Sequence, residues 1–414
     1  MKRYLILSTL VLSGTAFAND DPALPPAEAV ERAVDEHPLV QAGLARSDAA
    51  RELARGLRTG PHEFTVSGSY SQRRIDREGE FNEYDATLER GIRLPGKAAL
   101  DRRAGEFGIS AAEYRVAETR HRAVLLLNDI WWDWLENHAE VEAGEAAVAN
   151  LTAALAAVER RIALQDAALV DADQARSALA TARVALEQGR SRTEIARSRL
   201  EVQFPSLPLP VEAPELPDPV MPLTGLGALR DQTLAQDHGM PGAQAEADRQ
   251  STLAERARRD RIADPTLGFR LFSERGGAER GIGVVASIPI GGAGRSAIAG
   301  QAQAEARAAT AEFAAARFTA QETATTGYAE AGNSWTAWRS SLNARTSSKL
   351  AADRLRQGYR LGGVELADLL YAERQAQEAL KAETATRAEA LRAISRLRIN
   401  AHDLWPNNHD GVDR

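Results

Sequence analysis

The stretch Gly91-Ile92-Arg93-Leu94-Pro95-Gly96-Lys97-Ala98 comes nearest to a chemical motif in this 414-residue chain. It almost fits the glycine-rich loop whose backbone amides cradle phosphate and whose Lys neutralises it. Ala98 stands where a Ser or Thr hydroxyl would bind magnesium, and Pro95 removes one of the cradling amides. The residues before it alternate apolar and polar, whereas a phosphate loop follows a fully buried parallel strand. The motif therefore reads as a strand-to-helix junction turned by Pro95 and Gly96, with a second junction at Pro289, Gly291, Gly292 and Gly294.

Other reactive side chains form no pattern. His37, His62, His121, His138, His238, His402 and His409 are scattered without an i, i+4 ligand pair or zincin motif, and cysteine is absent. No Ser-His-Asp set and no carboxylate pair can be argued from spacing, so no catalytic residue, metal site or cofactor is expected. Trp131, Trp132, Trp134, Trp335 and Trp338 read first as helix packing. Acidic residues gather at two breaks in helical periodicity: Asp166, Asp171 and Asp173 in the first, and Glu365 and Asp368 beside Tyr359, Gly362 and Gly363 in the second. In a symmetric oligomer they would recur as rings, which attract cations in a narrow aqueous pore. Asp171 and Glu365 are also placed to cap the following helix, and the two readings are compatible.

These breaks belong to a tandem duplication. A shift of 194 residues sets Arg160 on Arg354, Val170 on Val364, Ala178 on Ala372 and Leu94-Pro95 on Ile288-Pro289. The division is a secretory signal over 1–18, a first repeat over 19–204, a Pro-rich linker over 205–222, a second repeat over 223–404 and a tail over 405–414. Lys2-Arg3, the apolar Leu5 to Leu12 and Ala16-Phe17-Ala18 carry the signal. No later run of eighteen apolar residues offers a membrane helix, so membrane contact is expected only through strands that close a barrel. The net charge of −7 gives no footing for nucleic acid.

Each repeat reads as helix, two strands, a very long helix, a break and another helix. Strands are expected at about 64–72 and 84–94, around a polar loop from Ser71 to Asn82, and at about 266–273 and 281–290. Phe64, Val66, Gly68 and Tyr70 share a face, as do Tyr84, Ala86, Leu88, Ile92 and Leu94, with Arg90 the exception. The runs from about Ala98 to Ala168 and Ser296 to Leu361 hold no proline. At 1.5 Å per residue each extends roughly 100 Å. Four strands cannot close a membrane barrel, for which about eight is the minimum, so the chain must oligomerise.

At this point the sequence resembles the TolC-type outer-membrane efflux family. Leu24-Pro25-Pro26-Ala27-Glu28-Ala29-Val30-Glu31-Arg32-Ala33 with His37-Pro38-Leu39 resembles the family's opening helix, and Tyr359-x-x-Gly362-Gly363-Val364 with Asp368-Leu369-Leu370 its most recognisable motif. Leu94-Pro95-Gly96-Lys97 with Arg102-Arg103 is similar to the heavy-metal, CzcC-like branch. The resemblance implies a mainly α chain with a small β part. As a homotrimer it would form a twelve-stranded barrel in outer-membrane lipid, continued by a periplasmic α-helical tunnel with the helical breaks at its tip. It would dock a periplasmic adaptor and an inner-membrane efflux pump, passing metal cations or drugs and catalysing nothing. Half one departs from the pattern, with Gln165 and Ala168 in place of Tyr-x-x-Gly and Gln174 opposite Asp368. The alternative is a periplasmic adaptor, also secreted and helical, but adaptors hold one helical hairpin between soluble β-domains.

Overall fold

A computed structural model describes residues 23–405; the signal, and the tail beyond Trp405, lie outside the described residues. The chain runs α1 Ala27–Asp35, α2 Pro38–Thr59, β1 Phe64–Ile75, β2 Gly79–Gly91, α3 Lys97–Ala163 and α4 Leu169–Gln203. It continues α5 Leu226–Ala235, α6 Gly239–Arg259, β3 Thr266–Glu274, β4 Glu279–Ser287, α7 Ala293–Arg360 and α8 Leu366–Asn400. The opening helix of each half is broken in two. Pro38 lacks the N–H needed to continue α1, and the His37 ring accepts the Leu39 amide at 3.3 Å to start α2. In half two Asp237 Oδ1 accepts the Met240 amide at 2.6 Å.

The duplication recurs element by element, but not at one offset. Helices α3 and α7 begin at Lys97 and Ala293 and end at Ala163 and Arg360, spacings of 196 and 197 rather than 194. At the break Leu164 therefore matches Leu361, Gln165 matches Gly362 and Asp171 matches Asp368. The expected departure at Gln174 disappears, because the two Asp residues hold the same place three residues into α4 and α8.

The helices lie side by side as an open layer. α3 packs on α2 and α6 along its first part and on α4 and α8 along its second, while α7 packs on α6 and then α8. Small residues allow this closeness: a Cβ on Gly105 of α3 would sit 2.9 Å from Ala54 Cβ. The main core is midway along α3, where Trp131, Trp132 and Trp134 are buried with Phe204 at the end of α4 and Leu207 and Leu216 of the linker. Trp131 donates to Ala23 O at 2.9 Å and Trp405, assigned by sequence to the tail, donates to Pro25 O at 3.2 Å. The linker is strapped on by Arg197 to the carbonyls of Pro210 and Val211 and by Arg387 to that of Leu216. The tryptophans are thus packing residues. One window of α3 does reach a mean hydropathy of 1.3, long and apolar enough by composition to cross a membrane. It lies on a helix whose Glu145 pairs with Arg190 of α4 at 2.8 Å.

The four strands form one antiparallel sheet in the order β1-β2-β3-β4. Pairing of β1 with β2 runs from Phe64↔Arg90 to Ile75↔Gly79, leaving only Asp76, Arg77 and Glu78 as the turn. The expected loop from Ser71 to Asn82 is therefore mostly strand; Gln72, Arg73 and Arg74 keep β geometry without apolar alternation. β4 stops at Ser287, three residues short of the expected end, before the glycines of the junction.

Candidate functional site

The sheet presents two chemically opposed faces. Register sets Val66, Leu88, Phe269 and Val284 in one row, Gly68, Ala86, Leu271 and Ile282 in the next, and Tyr70, Tyr84, Ser273 and Arg280 in a third. Residues paired across strands share a face. This face is open: Val66, Phe269, Ile282 and Val284 are 77, 64, 78 and 75% exposed. Below them Ile288 and Ile290 continue it. The opposite face carries Ser67, Thr87 and Arg270, with Asp85 ion-paired to Arg270 and Arg73 3.4 Å from Glu83. From Arg280 to Ser287 is seven residues of strand, which at about 3.3 Å each and a tilt of about 40° spans about 18 Å, and the exposed Ile288 and Ile290 follow toward the junction. The sheet has unpaired edges on β1 and β4, which in a hydrocarbon layer would need partner strands.

At the junction the chemistry of Lys97 is settled by its partners. Its ammonium is 2% exposed and donates to Ile262 O at 2.7 Å, Asp264 Oδ1 at 2.8 Å and Asp260 Oδ1 at 2.9 Å. All three protons are used, so the residue that resembled a phosphate-loop Lys is an internal tie between the halves. Asp264 also accepts the Leu94 amide at 3.0 Å and lies 2.9 Å from His62 Nε2. Burial pushes its carboxyl up, but the hydrogen bonds from Lys97, the Leu94 amide and His62 outweigh that and hold it at about 2. Arg93 bonds Asp101 at 2.8 Å and closes the end of α2 through the carbonyls of Leu57, Arg58 and Thr59. Arg256 joins Asp101 at 2.7 Å and pairs with Asp260. Gly96 takes the left-handed φ of 82° that the turn needs. At the other junction, Pro289 leads to Gly291, where a Cβ would come 2.5 Å from Arg261 O. Only Lys97 and Arg93 were visible in the motif; their acidic partners, more than 150 residues away apart from Asp101, carried no local signal.

The far end of the rods holds the two breaks. Both turns have one hydrogen-bond pattern: Asp166 N–H to Arg161 O at 2.8 Å and Gly363 N–H to Gly358 O at 3.0 Å, each around a left-handed residue, Gln165 at φ 59° and Gly362 at φ 76°. This is the Schellman closure of a helix end. Tyr359 is buried at 4% exposure among Val158, Ala172, Ala175, Leu366 and Leu369, with the Arg161 guanidinium 5.2 Å from its ring centre. It joins the two helical hairpins. Asp171 Oδ2 accepts the Ala168 amide at 3.2 Å, Asp173 pairs with Arg176 at 3.2 Å and Asp166 with Arg161 at 2.9 Å. Glu365 precedes α8 without a side-chain capping bond. Glu365 and Asp368 are exposed and form no ion pair among the described residues.

Three histidines that looked scattered come together. His402 lies 6.0 Å from His121 and 5.0 Å from His238 between ring centres, and His121 Nε2 is 2.9 Å from Asn400 Oδ1. Among the described residues, no three His, Cys, Asp or Glu are arranged to hold a metal ion. Leu94-Pro95-Gly96-Lys97, the stretch similar to a heavy-metal branch, builds the strand-to-helix junction.

No protein-family model matches this sequence, and no curated protein sequence matches it. Solved structures do. The outer membrane protein VceC of Vibrio cholerae aligns with a TM-score of 0.75 at 16% identity, covering 91% of this chain and 95% of that one. The open state of the Neisseria gonorrhoeae MtrE outer membrane channel aligns at 0.72 and 14% identity, over 91 and 88%. The Campylobacter jejuni CmeC outer membrane channel aligns at 0.69 and 16%, over 91 and 85%. The chain has the fold of these proteins along nearly its whole length.

Proposed function

We propose that this protein is an outer-membrane exit duct, in which three copies close twelve strands into a barrel and their helices into a periplasmic tunnel. The observation that carries the reading is the sheet: an exposed apolar face, a polar opposite face and two unpaired edges, set on rods roughly 100 Å long. β4 of one copy would pair with β1 of the next. The helical layer needs the same neighbours, since its edge helices expose Phe318 on α7 and Val184, Ile195 and Val202 on α4. VceC, MtrE and CmeC, with the same fold, are described as outer membrane proteins or channels.

In this reading an inner-membrane pump and a periplasmic adaptor supply energy and cargo at the tip, and the chain supplies an aqueous path. Tyr359 and Gly362 fix the tip, Asp171 and Asp173 are held by local bonds, and Glu365 and Asp368 are the acids open to cargo. Open carboxylates favour cationic cargo, metal ions or basic drugs. The adaptor alternative leaves the duplicated, fused sheet without a role. The test is fractionation of cells expressing the full chain, followed by planar-bilayer conductance. The duct requires heat-sensitive trimers in the outer-membrane fraction and discrete channels; complete release by osmotic shock overturns it.

A further inference from the structure

Three histidines from separate parts of the chain meet beside the main core. His121 lies on α3 of the first half, His238 opens α6 of the second, and His402 follows α8. His402 stands between the other two, 6.0 Å from His121 and 5.0 Å from His238 between ring centres. It holds that place under backbone strain. Its φ is 55°, in the left-handed closure of α8, where the Asp403 amide donates to Arg398 O at 2.8 Å. Glycine takes such a position without strain, as Gly362 does after α7. Directly beyond His402 the chain becomes a plug: Leu404 and Trp405 are buried in the main core, and Trp405 donates to Pro25 O at 3.2 Å. The rings therefore flank the segment that ties the end of the second half to the start of the first.

The charges around the rings limit how many protons they can hold. α3 supplies Glu118 and Arg122, paired at 3.0 Å, and beyond α8 Asp403 is paired with Arg398 at 2.6 Å. The break before α6 supplies Asp237, which acts on both His121 and Glu118. With the two pairs neutral in themselves, Asp237 is the acid left among these groups to balance an imidazolium. It can match one charged ring, but three at these spacings repel one another. Burial lowers the His121 pKa, against the opposing pull of Asn400, whose Oδ1 is 2.9 Å from Nε2, and of Asp237.

We propose that His121, His238 and His402 form an acid-operated clasp: neutral rings hold the chain end against α3, and their protonation drives them apart and withdraws Leu404 and Trp405 from the core. The packed girdle midway along the rods is then the part of the molecule that answers to mild acid. Asp264 of the junction titrates below this range and takes no part. The clasp does not depend on the sheet lying in a membrane, so its failure leaves the duct reading untouched.

The test follows hydrogen exchange in the mature full-length protein in detergent, corrected for the intrinsic pH dependence of amide exchange. Between about pH 7 and about pH 5, where histidine charges, peptides covering 397–405 exchange about tenfold faster, the change one linked proton gives per pH unit. Peptides covering the turns at 164–168 and 361–365 keep their rates. His121→Gln holds the chain end near its neutral rate in acid. His402→Asn, which keeps a residue suited to the left-handed region, does the same, and so does His238→Gln. An unchanged rate for 397–405 in the unaltered protein overturns the proposal, as does acceleration that persists in all three variants. Equal acceleration along the whole chain would be general acid unfolding and overturns it too. Fast exchange at both pH values in all three variants would show that ring packing, not charge, holds the chain end, and the acid step would fall.

Discussion

The turns at Leu164–Ala168 and Leu361–Glu365 share one backbone and differ in almost every charge. Each closes a rod with the same hydrogen bonds and a left-handed residue, Gln165 in one and Gly362 in the other. The first turn is wrapped in local ion pairs, Arg161 with Asp166 and Arg176 with Asp173, whereas the second leaves Glu365 and Asp368 open. The lesson is that the reversal of the chain does not depend on the acids. A closed set of charges and an open set sit on the same scaffold, so stability and charge display can be altered separately. The junctions repeat the contrast: half one brings a buried Lys97, while half two has Gly291 against the Arg261 carbonyl.

The largest effect should come from the junction. Lys97→Met would remove the shared cation and leave the mostly buried Asp264 without its ammonium partner, while Asp260 keeps Arg256. Breaking a buried pair on one side costs about 3–5 kcal/mol. We expect a large drop in thermal stability and poor recovery of assembled protein, measured by heat-induced dissociation in detergent. Gly291→Ala, in half two, sets a Cβ 2.5 Å from the Arg261 carbonyl oxygen, a backbone clash that forces the junction to shift, so it should destabilise as well. Unchanged stability in Lys97→Met would show that the tie between halves is not where the structure puts it.

Acid should act on the same junction. Asp264 is held at about 2 against an ordinary 3.8, so its folded form binds protons less readily than the unfolded chain. Its contribution, about 2 kcal/mol from that difference, is present above pH 3.8 and is lost as pH falls toward 2. Asp264→Asn should flatten this part of the pH–stability curve. A second window lies higher. Burial lowers the His121 pKa, although the bond to Asn400 opposes it. Stability from keeping it neutral is therefore complete above about pH 6.5 and declines as pH drops through that value. Replacing His121 with Gln should remove the decline.

How far the sequence carried the fold follows from the same contrasts. The duplication, the hairpins and the rods were legible because periodicity and punctuation are local. Glycine and proline marked each junction. What was not legible was pairing between residues far apart, such as His62 with Asp264 or His121 with His402. The register of the tip was misread because Gln165 occupies a left-handed position where glycine is the usual signal, so matching Val170 to Val364 slipped the halves by three residues. β1 and β2 were read short since their outer ends leave the apolar band, and alternation there is no longer imposed by burial. Tyr359 stood out by its motif, but only the packing of Ala172 and Ala175 against it gives its place between the hairpins.

Backbone strain gives an intermediate test. A side chain in the left-handed region costs about 1–2 kcal/mol. Gln165→Gly should therefore raise the melting temperature of the mature protein, and Gly362→Ala should lower it by a comparable amount. If both substitutions shift stability the same way, the two turns are not equivalent in solution, and the 197-residue match between them fails.

The smallest effect on stability, and the most telling for function, should come from the open acids. Glu365→Gln with Asp368→Asn removes two exposed charges without ion-pair partners, so the expected stability change is within about 0.5 kcal/mol. The same pair should lower the preference for cations over anions in planar-bilayer conductance, because unneutralised carboxylates set the local potential. Asp173→Asn also costs little, because its pair with Arg176 is exposed, but it should leave selectivity unchanged. It frees Arg176 from one of its two acids, the other being Glu159 at 3.0 Å, and leaves the display of open carboxylates untouched. Selectivity that falls equally in Asp173→Asn and in the double variant would mean that paired and open acids contribute alike, and the distinction between the two turns would lose its functional meaning. Selectivity that responds only to Glu365 and Asp368 assigns the charge of the tip to half two, while half one serves as its braced counterpart.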